Sequence, residues 1–303
     1  MSKSFLEVDD LGPGALAALL DQAIEWKEHP AEVPPVLEGK GVAALFEKPS
    51  ARTRISIEMA VKTLGGHPIY VRPEEVGLDT RESVEDVART MAGMCALIAA
   101  RVFDHRTLER MDAVVDIPIV NLLSDTSHPC QALADLLTLR EHFGSIEGRR
   151  VAYVGDGNNV AASLAFAAAL SGVELAVASP DGYDLDPDVV ARARNLGGVI
   201  ELVTDPYDAV RNADAVYTDV WTSMGQEAER DHRIHAFTGY TVDDALMKAA
   251  SSEAVFLHCL PAHRGEEVAP EVIDGPRSLV WPQAANRMHA ARALLVDLVQ
   301  DGE

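Results

Sequence analysis

Short apolar runs alternate with stretches of helical spacing along this chain. A short apolar run bounded by glycine, proline or polar residues predicts a buried strand, and apolar residues three or four positions apart predict an amphipathic helix. The predicted strands cover residues 41–46, 96–101, 119–123, 151–154, 174–178, 199–203, 215–218, 254–260 and 279–281. The predicted helices cover residues 14–28, 51–64, 83–94, 107–112, 129–143, 160–170 and 286–299.

This alternation predicts an α/β fold with two doubly wound parallel-sheet domains joined by bridging helices. The strand and helix pattern restarts after Gly148, so we expect one domain over 1–142 and a second over 143–285. The helix 129–143 is expected to connect the two. A final helix within about 286–303 is expected to pack back on the first domain.

Composition narrows the class of protein. The chain has 303 residues, 48% of them hydrophobic, and no apolar run approaches the roughly 18 residues that span a bilayer. A formal charge of -22 argues against nucleic acid as a partner, because phosphate backbones require a basic surface. The three cysteines predict neither a disulfide framework nor a structural zinc site. We therefore expect a cytoplasmic protein with no membrane segment and no metal.

The segment from Lys48 to Arg54 combines two arginines, two hydroxyls and a lysine where a helix is predicted to begin. Ser50 is a good N-cap, and the first turn of a helix is electropositive. Arg52 and Arg54 therefore oppose the helix dipole unless an anion is bound there, and a phosphate is such an anion. The alternative is that both arginines point into water.

A second polar cluster follows the predicted strand 119–123. His128 precedes Pro129 where the next helix is predicted to begin, and Gln131 lies within its first turn. A neutral imidazole could donate a hydrogen bond to a substrate carbonyl, and the glutamine amide could pair with another amide. The alternative is a set of polar residues that caps the helix.

Two further clusters lie at the ends of strands predicted in the second half. Asp219 follows the strand 215–218 and is suited to bind an amino group, although an acidic surface loop is the alternative. Gly155-Asp156-Gly157 lacks the third glycine of a dinucleotide fingerprint, so the nucleotide signal is weak. Asn158 and Asn159 offer amides suited to a carboxylate or an amino acid.

The strand 254–260 ends with His258, Cys259 and Leu260, and Pro261 follows it. Metal binding through His258, Cys259 and His263 is one interpretation, but the spacing fits no common site and a fourth ligand is missing. A cysteine packed at the end of a strand is the stronger alternative.

Taken in order, these motifs resemble the aspartate/ornithine carbamoyltransferase family. The motifs are Ser50-Ala51-Arg52-Thr53-Arg54, His128-Pro129-Cys130-Gln131, Gly155-Asp156-Gly157-Asn158-Asn159, Asp219-Val220-Trp221-Thr222-Ser223-Met224-Gly225 and His258-Cys259-Leu260-Pro261. The Ser-Met-Gly and His-Cys-Leu-Pro elements resemble the members that act on ornithine. The resemblance implies transfer of the carbamoyl group of carbamoyl phosphate to the δ-amino group of L-ornithine, giving L-citrulline and phosphate in arginine biosynthesis. It further implies no cofactor and assembly into a homotrimer or a multiple of trimers.

The resemblance also implies roles for individual residues. Carbamoyl phosphate would be bound by Ser50, Ala51, Arg52, Thr53, Arg101, His128, Gln131, Cys259, Leu260 and Arg287. Cys259 and Leu260 would act through their backbone carbonyls. Ornithine would be bound by Asn159, Asp219, Ser223 and Met224. The catalytic residues would be Arg101, His128, Asp219, Cys259 and Arg287. The domain 1–142 would bind carbamoyl phosphate, and the domain 143–285 would bind ornithine.

The chain departs from the family pattern at one position. Six residues before Ser83 the family usually has a glutamine or histidine that reaches a neighbouring subunit's site, whereas this chain has Gly77. Thr80 or Arg81 could replace that contact. Three alternative functions stay open: transfer to another amine or amino acid, a non-catalytic regulatory relative, and, least supported, a nucleotide-dependent dehydrogenase.

Overall fold

The chain forms two compact units in a computed structural model that describes residues 4–222 and 227–300. The first unit contains the residues up to Leu137 and those from Ala285 onward, and the second contains Thr138–Ala284. Each unit is built around one parallel sheet. Two parallel sheets with helices between their strands confirm the predicted α/β class.

The sheet of the first unit has four parallel strands in the order β2-β1-β3-β4. These strands are β1 Gly41–Phe46, β2 His67–Val71, β3 Leu97–Arg101 and β4 Ile119–Leu123. The helices of this half of the chain are α1 Pro13–Glu28, α2 Ala51–Thr63, α3 Pro73–Val76, α4 Val84–Ala92, α5 Arg106–Asp112 and α6 Pro129–Phe143. Short 3-10 helices cover Val8–Asp10 and Pro30–Glu32.

The sheet of the second unit has five parallel strands in the order β7-β6-β5-β8-β9. These are β5 Arg150–Val154, β6 Glu174–Ala178, β7 Val199–Val203, β8 Ala215–Thr218 and β9 Val255–His258. The later helices are α7 Asn159–Ser171, α8 Pro187–Asn195, α9 Pro206–Val210, α10 Arg230–Ala236, α11 Asp244–Ala249, α12 Pro270–Ile273 and α13 Val280–Gln300, with a 3-10 helix at Glu227–Glu229. Over the described parts of the chain, no helix is long and apolar enough to cross a membrane.

Mostly apolar runs form the strands β3, β4, β8 and β9, because both faces of each sheet are covered there. Every residue of β3, β4, β8 and β9 is buried. Such strands read as mostly hydrophobic segments rather than alternating ones, which is why the sequence pattern locates them well.

The predicted strand at 279–281 is wrong, because Val280 and Trp281 open the helix α13. The segment just before α13 does pair with β9, since the Leu279 N–H donates to the Phe256 carbonyl and the Phe256 N–H donates to the Arg277 carbonyl, both at 2.9 Å, but the pairing is an isolated bridge at Ser278. Pro282 is tolerated in the first helical turn, where backbone N–H groups have no intrahelical partner. The final helix thus begins six residues earlier than predicted, at Val280 rather than Asn286.

Candidate functional site

The first cluster of polar side chains in the first unit lies where α2 begins, directly after β1. Ser50 is the N-cap of α2, as predicted, and its hydroxyl oxygen accepts from the backbone N–H of Thr53 at 3.4 Å. The Ser50 hydroxyl also donates to Thr53 Oγ1 at 2.9 Å. Ala51 and Arg52 follow in the exposed part of the first turn. The turn therefore presents backbone N–H groups and a guanidinium on one surface, an arrangement that suits an anion.

Arg54 does not belong to this anion-binding surface, contrary to the expectation that both arginines face an anion. Its Nε donates to Glu58 Oε1 at 2.8 Å, one helical turn later, and its guanidinium lies 3.9 Å from the centroid of the Tyr70 ring. Arg52, by contrast, forms no ion pair with any side chain within 4–222 or 227–300. The dipole argument therefore applies to Arg52 alone.

Arg101 lies at the carboxyl end of β3, beside the end of β1. The sheet register pairs it with Phe46, two residues before Lys48. Arg101 is buried, and after burial itself its charge is the main cause that lowers the pKa of Lys48. Two cations are thus held close together near the beginning of α2, and a bound anion would relieve their repulsion.

Arg287, on α13, connects the beginning of α2 to α6. One terminal nitrogen of its guanidinium donates to Thr53 Oγ1 at 2.7 Å, and the other donates to Gln131 Oε1 at 2.8 Å. Thr53 Oγ1 therefore accepts from both Ser50 and Arg287, which leaves its own hydroxyl proton to donate elsewhere. The fork fixes two motifs that lie far apart in the sequence.

The amide of Gln131 is oriented by partners on both sides. Its oxygen faces Arg287, which can only donate, and its nitrogen donates to Asp135 Oδ1 at 2.8 Å. Gln131, Asp135 and Arg287 are all buried. A buried amide with a fixed orientation can distinguish a hydrogen-bond donor from an acceptor on a bound molecule.

His128 is buried where α6 begins, beside two arginines. Burial, followed by the charges of Arg287 and Arg101, holds the pKa of His128 well below its usual range. The ring is therefore neutral at physiological pH and can donate only one hydrogen bond. This agrees with the neutral imidazole expected from the sequence.

In the second unit, Asp219 follows β8 and is held by two partners. Asn158, the N-cap of α7, donates from Nδ2 to Asp219 Oδ2 at 2.9 Å, and the Cys259 thiol donates to Asp219 Oδ1 at 2.9 Å. Asp219 and Cys259 are both buried. Asn159 is the first residue of α7 and is half-buried. A buried carboxylate beside a thiol and the Asn158 amide is suited to an amine with an adjacent polar group.

The strand β9 ends in a tightly bonded segment. The His258 ring accepts from the backbone N–H of Leu260 through Nδ1 at 2.9 Å and contacts Glu267 Oε1 through Nε2 at 3.2 Å. Leu260 has φ of 61°, in the left-handed region that a leucine rarely adopts. The backbone after His258 is therefore held in one particular shape.

Among residues 4–222 and 227–300, two groups of side chains have a spacing that a metal could use. Asp219, His258 and Cys259 form one, and His263, Glu266 and Glu267 form the other. His263 is thus not grouped with Cys259, as the metal interpretation requires. Both ring nitrogens of His258 already have hydrogen-bond partners, so it has no lone pair to offer a metal.

The loop that carries Gly77 shows why glycine occurs there. Gly77 ends α3 with φ of 58°, and an added Cβ would lie 2.9 Å from the Cβ of Arg81. The two suggested substitutes are both engaged within the loop: the Thr80 hydroxyl donates to the Gly77 carbonyl, and Arg81 Nη1 donates to the Glu75 carbonyl. A contact with another subunit through either residue stays a prediction.

The structure thus brings the expected residues together within each unit. In the first unit the cluster contains Ser50, Arg52, Thr53, Arg101, His128, Gln131 and Arg287, with Ala51 beside it. In the second unit Asn159, Asp219, Cys259 and Leu260 lie at the carboxyl ends of neighbouring strands or where the following helix begins. The expected ornithine-binding residues Ser223 and Met224 lie outside the described residues.

Two buried carboxylates that support these clusters were not predicted from the sequence. Asp135 lies one helical turn after Gln131 in the largely apolar first half of α6, and this spacing was a usable signal. Glu267 lies in an acidic pair with Glu266, and nothing local distinguishes it from a surface residue. Only the fold places it against His258.

Comparison with known proteins shows that two domain models of one protein family match this chain. The model of the family domain described as "Aspartate/ornithine carbamoyltransferase, carbamoyl-P binding domain" matches residues 3–141, and "Aspartate/ornithine carbamoyltransferase, Asp/Orn binding domain" matches 147–298. An ornithine carbamoyltransferase from Acidothermus cellulolyticus is 50% identical over 97% of this chain and 96% of the relative. An anabolic ornithine carbamoyltransferase from Pyrococcus furiosus is 48% identical over 88% of this chain and 86% of the relative. The crystal structure of the Thermus thermophilus ornithine carbamoyltransferase matches with a TM-score of 0.90 at 46% identity, covering 99% of both chains.

Proposed function

The chain belongs to the aspartate/ornithine carbamoyltransferase family, and on that premise we propose that it transfers the carbamoyl group of carbamoyl phosphate to the δ-amino group of L-ornithine. The products are L-citrulline and phosphate. Relatives named ornithine carbamoyltransferase cover nearly the whole chain and support this choice of acceptor. The reaction belongs to arginine biosynthesis.

Carbamoyl phosphate is bound mainly by the cluster of the first unit. Arg52 and the N–H groups at the beginning of α2 bind the phosphate, together with the Ser50 and Thr53 hydroxyls. Ala51 contributes through its backbone. Arg101 contacts the phosphate and the carbonyl oxygen. Gln131 and the backbone carbonyls of Cys259 and Leu260 accept from the carbamoyl NH₂.

Ornithine is bound by residues of the second unit. Asp219 attracts the δ-ammonium, and Asn159 with Ser223 and Met224 binds the amino-acid end. The 2.9 Å contact between the Cys259 thiol and Asp219 supports a shared role at the amine. The amine must lose a proton before it can attack. The Cys259 thiol donates to Asp219, so Cys259 can accept the amine's proton only after it has passed its own proton to the Asp219 carboxylate.

The chemical step places negative charge on the carbonyl oxygen of carbamoyl phosphate. The neutral δ-amine attacks the carbonyl carbon, and phosphate then leaves. Donors already aimed at that oxygen stabilise the transition state, and removal of one such donor commonly lowers the rate about 10² to 10³-fold. Arg101, Arg287, the Thr53 hydroxyl and the neutral His128 ring are these donors.

One observation carries the proposal: the Arg287 fork, which binds Thr53 Oγ1 and Gln131 Oε1 at the same time. It unites a phosphate-binding turn and a rigid amide with a buried cation. A site that bound only phosphate would need no oriented amide beside it.

The direct experiment is a colorimetric assay of citrulline formed from carbamoyl phosphate and ornithine. Parallel reactions replace ornithine by aspartate, putrescine or N-acetylornithine. We expect product with ornithine at a rate well above that with the three others. A faster reaction with another acceptor would reassign the substrate, and no product with any acceptor would contradict enzymatic function.

A separate prediction concerns the thiol. Because Cys259 contacts Asp219, Cys259→Ala should lower kcat and change the pH dependence of citrulline formation. The measurement is kcat against pH for both proteins. A lower kcat with an unchanged pH profile would exclude a role for Cys259 in proton handling.

The assembly and location follow the family. We infer a cytoplasmic homotrimer that acts in the anabolic direction, since a relative 48% identical to this chain is named anabolic. Sedimentation velocity should give a mass about three times that of the 32.6 kDa chain.

A further inference from the structure

We propose that His258 and Glu267 are positioning residues, which aim the backbone carbonyls of Cys259 and Leu260 at the carbamoyl group. The inference rests on the function proposed above, in which those two carbonyls accept from the carbamoyl NH₂. Neither His258 nor Glu267 touches substrate in this arrangement. Both act through the peptide that joins Cys259 to Leu260.

The hydrogen bonds of His258 define which ring nitrogen carries the proton. A backbone N–H can only donate, so the bond from Leu260 at 2.9 Å requires Nδ1 to be an unprotonated acceptor. The proton of the neutral ring is therefore on Nε2, which faces Glu267 Oε1 at 3.2 Å. The backbone N–H of His258 is itself fixed, since it donates to Gln283 Oε1 at 2.9 Å.

Glu267 is the group that holds this tautomer. Its side chain and that of His258 both have 0% exposure, so the pair is shielded from water. Glu267 Oε1 also accepts from the backbone N–H of His263, and the Glu267 carbonyl accepts from the N–H of Val242 at 2.9 Å. The carboxylate thus has a fixed position. It can accept a hydrogen bond from a protonated Nε2, but it has no proton to donate to an unprotonated Nε2.

The peptide plane carries this constraint to the carbonyl. In a planar trans peptide, the N–H of Leu260 and the C=O of Cys259 point in opposite directions. Fixing the N–H on His258 Nδ1 therefore fixes the direction of the Cys259 carbonyl. The φ of 61° at Leu260 puts the residue that bears the next carbonyl in the left-handed region of the backbone, and such a backbone persists only where its surroundings hold it.

Two substitutions at the same position separate the two contacts of the ring. In His258→Asn the side-chain oxygen lies close to the place of Nδ1, so it can still accept from Leu260 but no longer reaches Glu267. In His258→Gln the amide lies close to the place of Nε2, so it can still donate to Glu267 but leaves the Leu260 N–H without its acceptor. Each variant thus keeps one of the two bonds.

The measurement is the KM for each substrate in citrulline formation, together with the thermal unfolding midpoint. We expect His258→Gln to raise the KM for carbamoyl phosphate about tenfold, with a change in the KM for ornithine below about threefold. His258→Asn should stay within about threefold of the parent for both substrates. Equal increases in the two variants, or equal increases for both substrates, would overturn the inference, because His258 would then only fill space.

A second measurement applies even if both variants fail to fold. Nitrogen NMR of the parent protein with ¹⁵N-labelled histidine distinguishes the two tautomers, and the His258 signal is assigned by its shift in the isosteric Glu267→Gln. We expect a protonated Nε2 and an unprotonated Nδ1. The opposite tautomer would overturn the inference with the proposed function intact, whereas a parent that makes no citrulline would overturn the proposed function first.

Discussion

The imidazole of His128 shows how strongly a site can change one residue. Burial and two neighbouring guanidinium groups oppose its protonation, so the ring is neutral in the folded protein. A neutral ring serves as a hydrogen-bond donor without adding a third positive charge beside Arg101 and Arg287. The same environment makes the folded state sensitive to acid.

We predict that His128 contributes a loss of stability at low pH. Its pKa is lower in the folded state than in the unfolded state, so the unfolded chain takes up the proton first as the pH falls through about 6.5. As the pH falls from 7.5 to 5.5, protonation of this group in the unfolded chain should lower the free energy of unfolding by about 1 kcal/mol. Denaturant titrations of the parent and of His128→Asn at both pH values measure the difference.

The matched control for that titration is the exposed His142 on the same helix. His142→Asn should keep the parent's pH dependence, while His128→Asn should lose part of it. Identical pH dependence in all three proteins would show that His128 is not buried as a neutral ring.

Arg287 permits a second prediction at the residue scale. Arg287→Lys keeps the charge but cannot bind Thr53 and Gln131 together, because an ammonium lacks the planar fork. We expect kcat to fall about 10²-fold. Arg292→Lys is the control, since Arg292 is also buried on α13 but lies outside the cluster. Comparable losses of kcat in both variants would indicate a general disturbance of α13.

Among the elements, α2 combines a structural role with a binding role at its N-cap. Ser50→Ala removes both the acceptor for the Thr53 N–H and the hydroxyl bonded to Thr53 Oγ1. We expect a loss of about 1 kcal/mol in the free energy of unfolding and a higher KM for carbamoyl phosphate. Urea denaturation and steady-state kinetics give the two values.

Asp243 is the comparable N-cap of α11, where its carboxylate accepts from the Leu246 N–H at 2.8 Å. Asp243→Ala should cost similar stability with an unchanged KM for carbamoyl phosphate. If both cap variants raise that KM equally, the effect of Ser50 comes from stability alone.

The elements also show what a sequence can and cannot reveal. Strands such as β3 and β4 were predicted well because burial on both faces makes them mostly apolar runs. The edge strand β2 was missed because it is half-exposed and contains Pro68, which only an edge strand tolerates. At 279–281 a short apolar run could not distinguish a strand from the first turn of a helix.

For the site, motif residues at strand ends were predictable because parallel strands bring their carboxyl ends together. The supporting residues were harder to find. Glu267 lies nine positions from His258, and only the path of the chain after β9 turns it toward that ring. Arg54 matched the motif, but its guanidinium binds Glu58 and stacks on the Tyr70 ring. The second contact depends on β2, which was not predicted.

For the whole molecule, the excess of acidic over basic residues dominates the surface. With 48 acidic and 26 basic residues the formal charge is -22, and self-repulsion of like charges destabilises a compact state. A raised salt concentration shortens the screening length from about 30 Å at 0.01 M to about 10 Å at 0.1 M. Sodium chloride should therefore stabilise the fold.

We expect the unfolding midpoint to rise by about 2–4 °C between 0.01 and 0.2 M sodium chloride at pH 7.5, on the order of 1 kcal/mol. Near pH 5, close to the sequence pI of about 4.7, the rise should be much smaller. Differential scanning calorimetry provides both midpoints. A rise of equal size at both pH values would point to general salting-out rather than charge repulsion.

Arg287 has a consequence for how the protein is made. It belongs to the first unit, yet it lies near the end of the chain, long after Thr53 and Gln131. A ribosome therefore releases the phosphate-binding turn early and must translate the whole second unit before the guanidinium that joins these residues leaves the exit tunnel. A nascent chain stalled before α13 contains every strand of both sheets, but its phosphate-binding site lacks the guanidinium that joins Thr53 to Gln131.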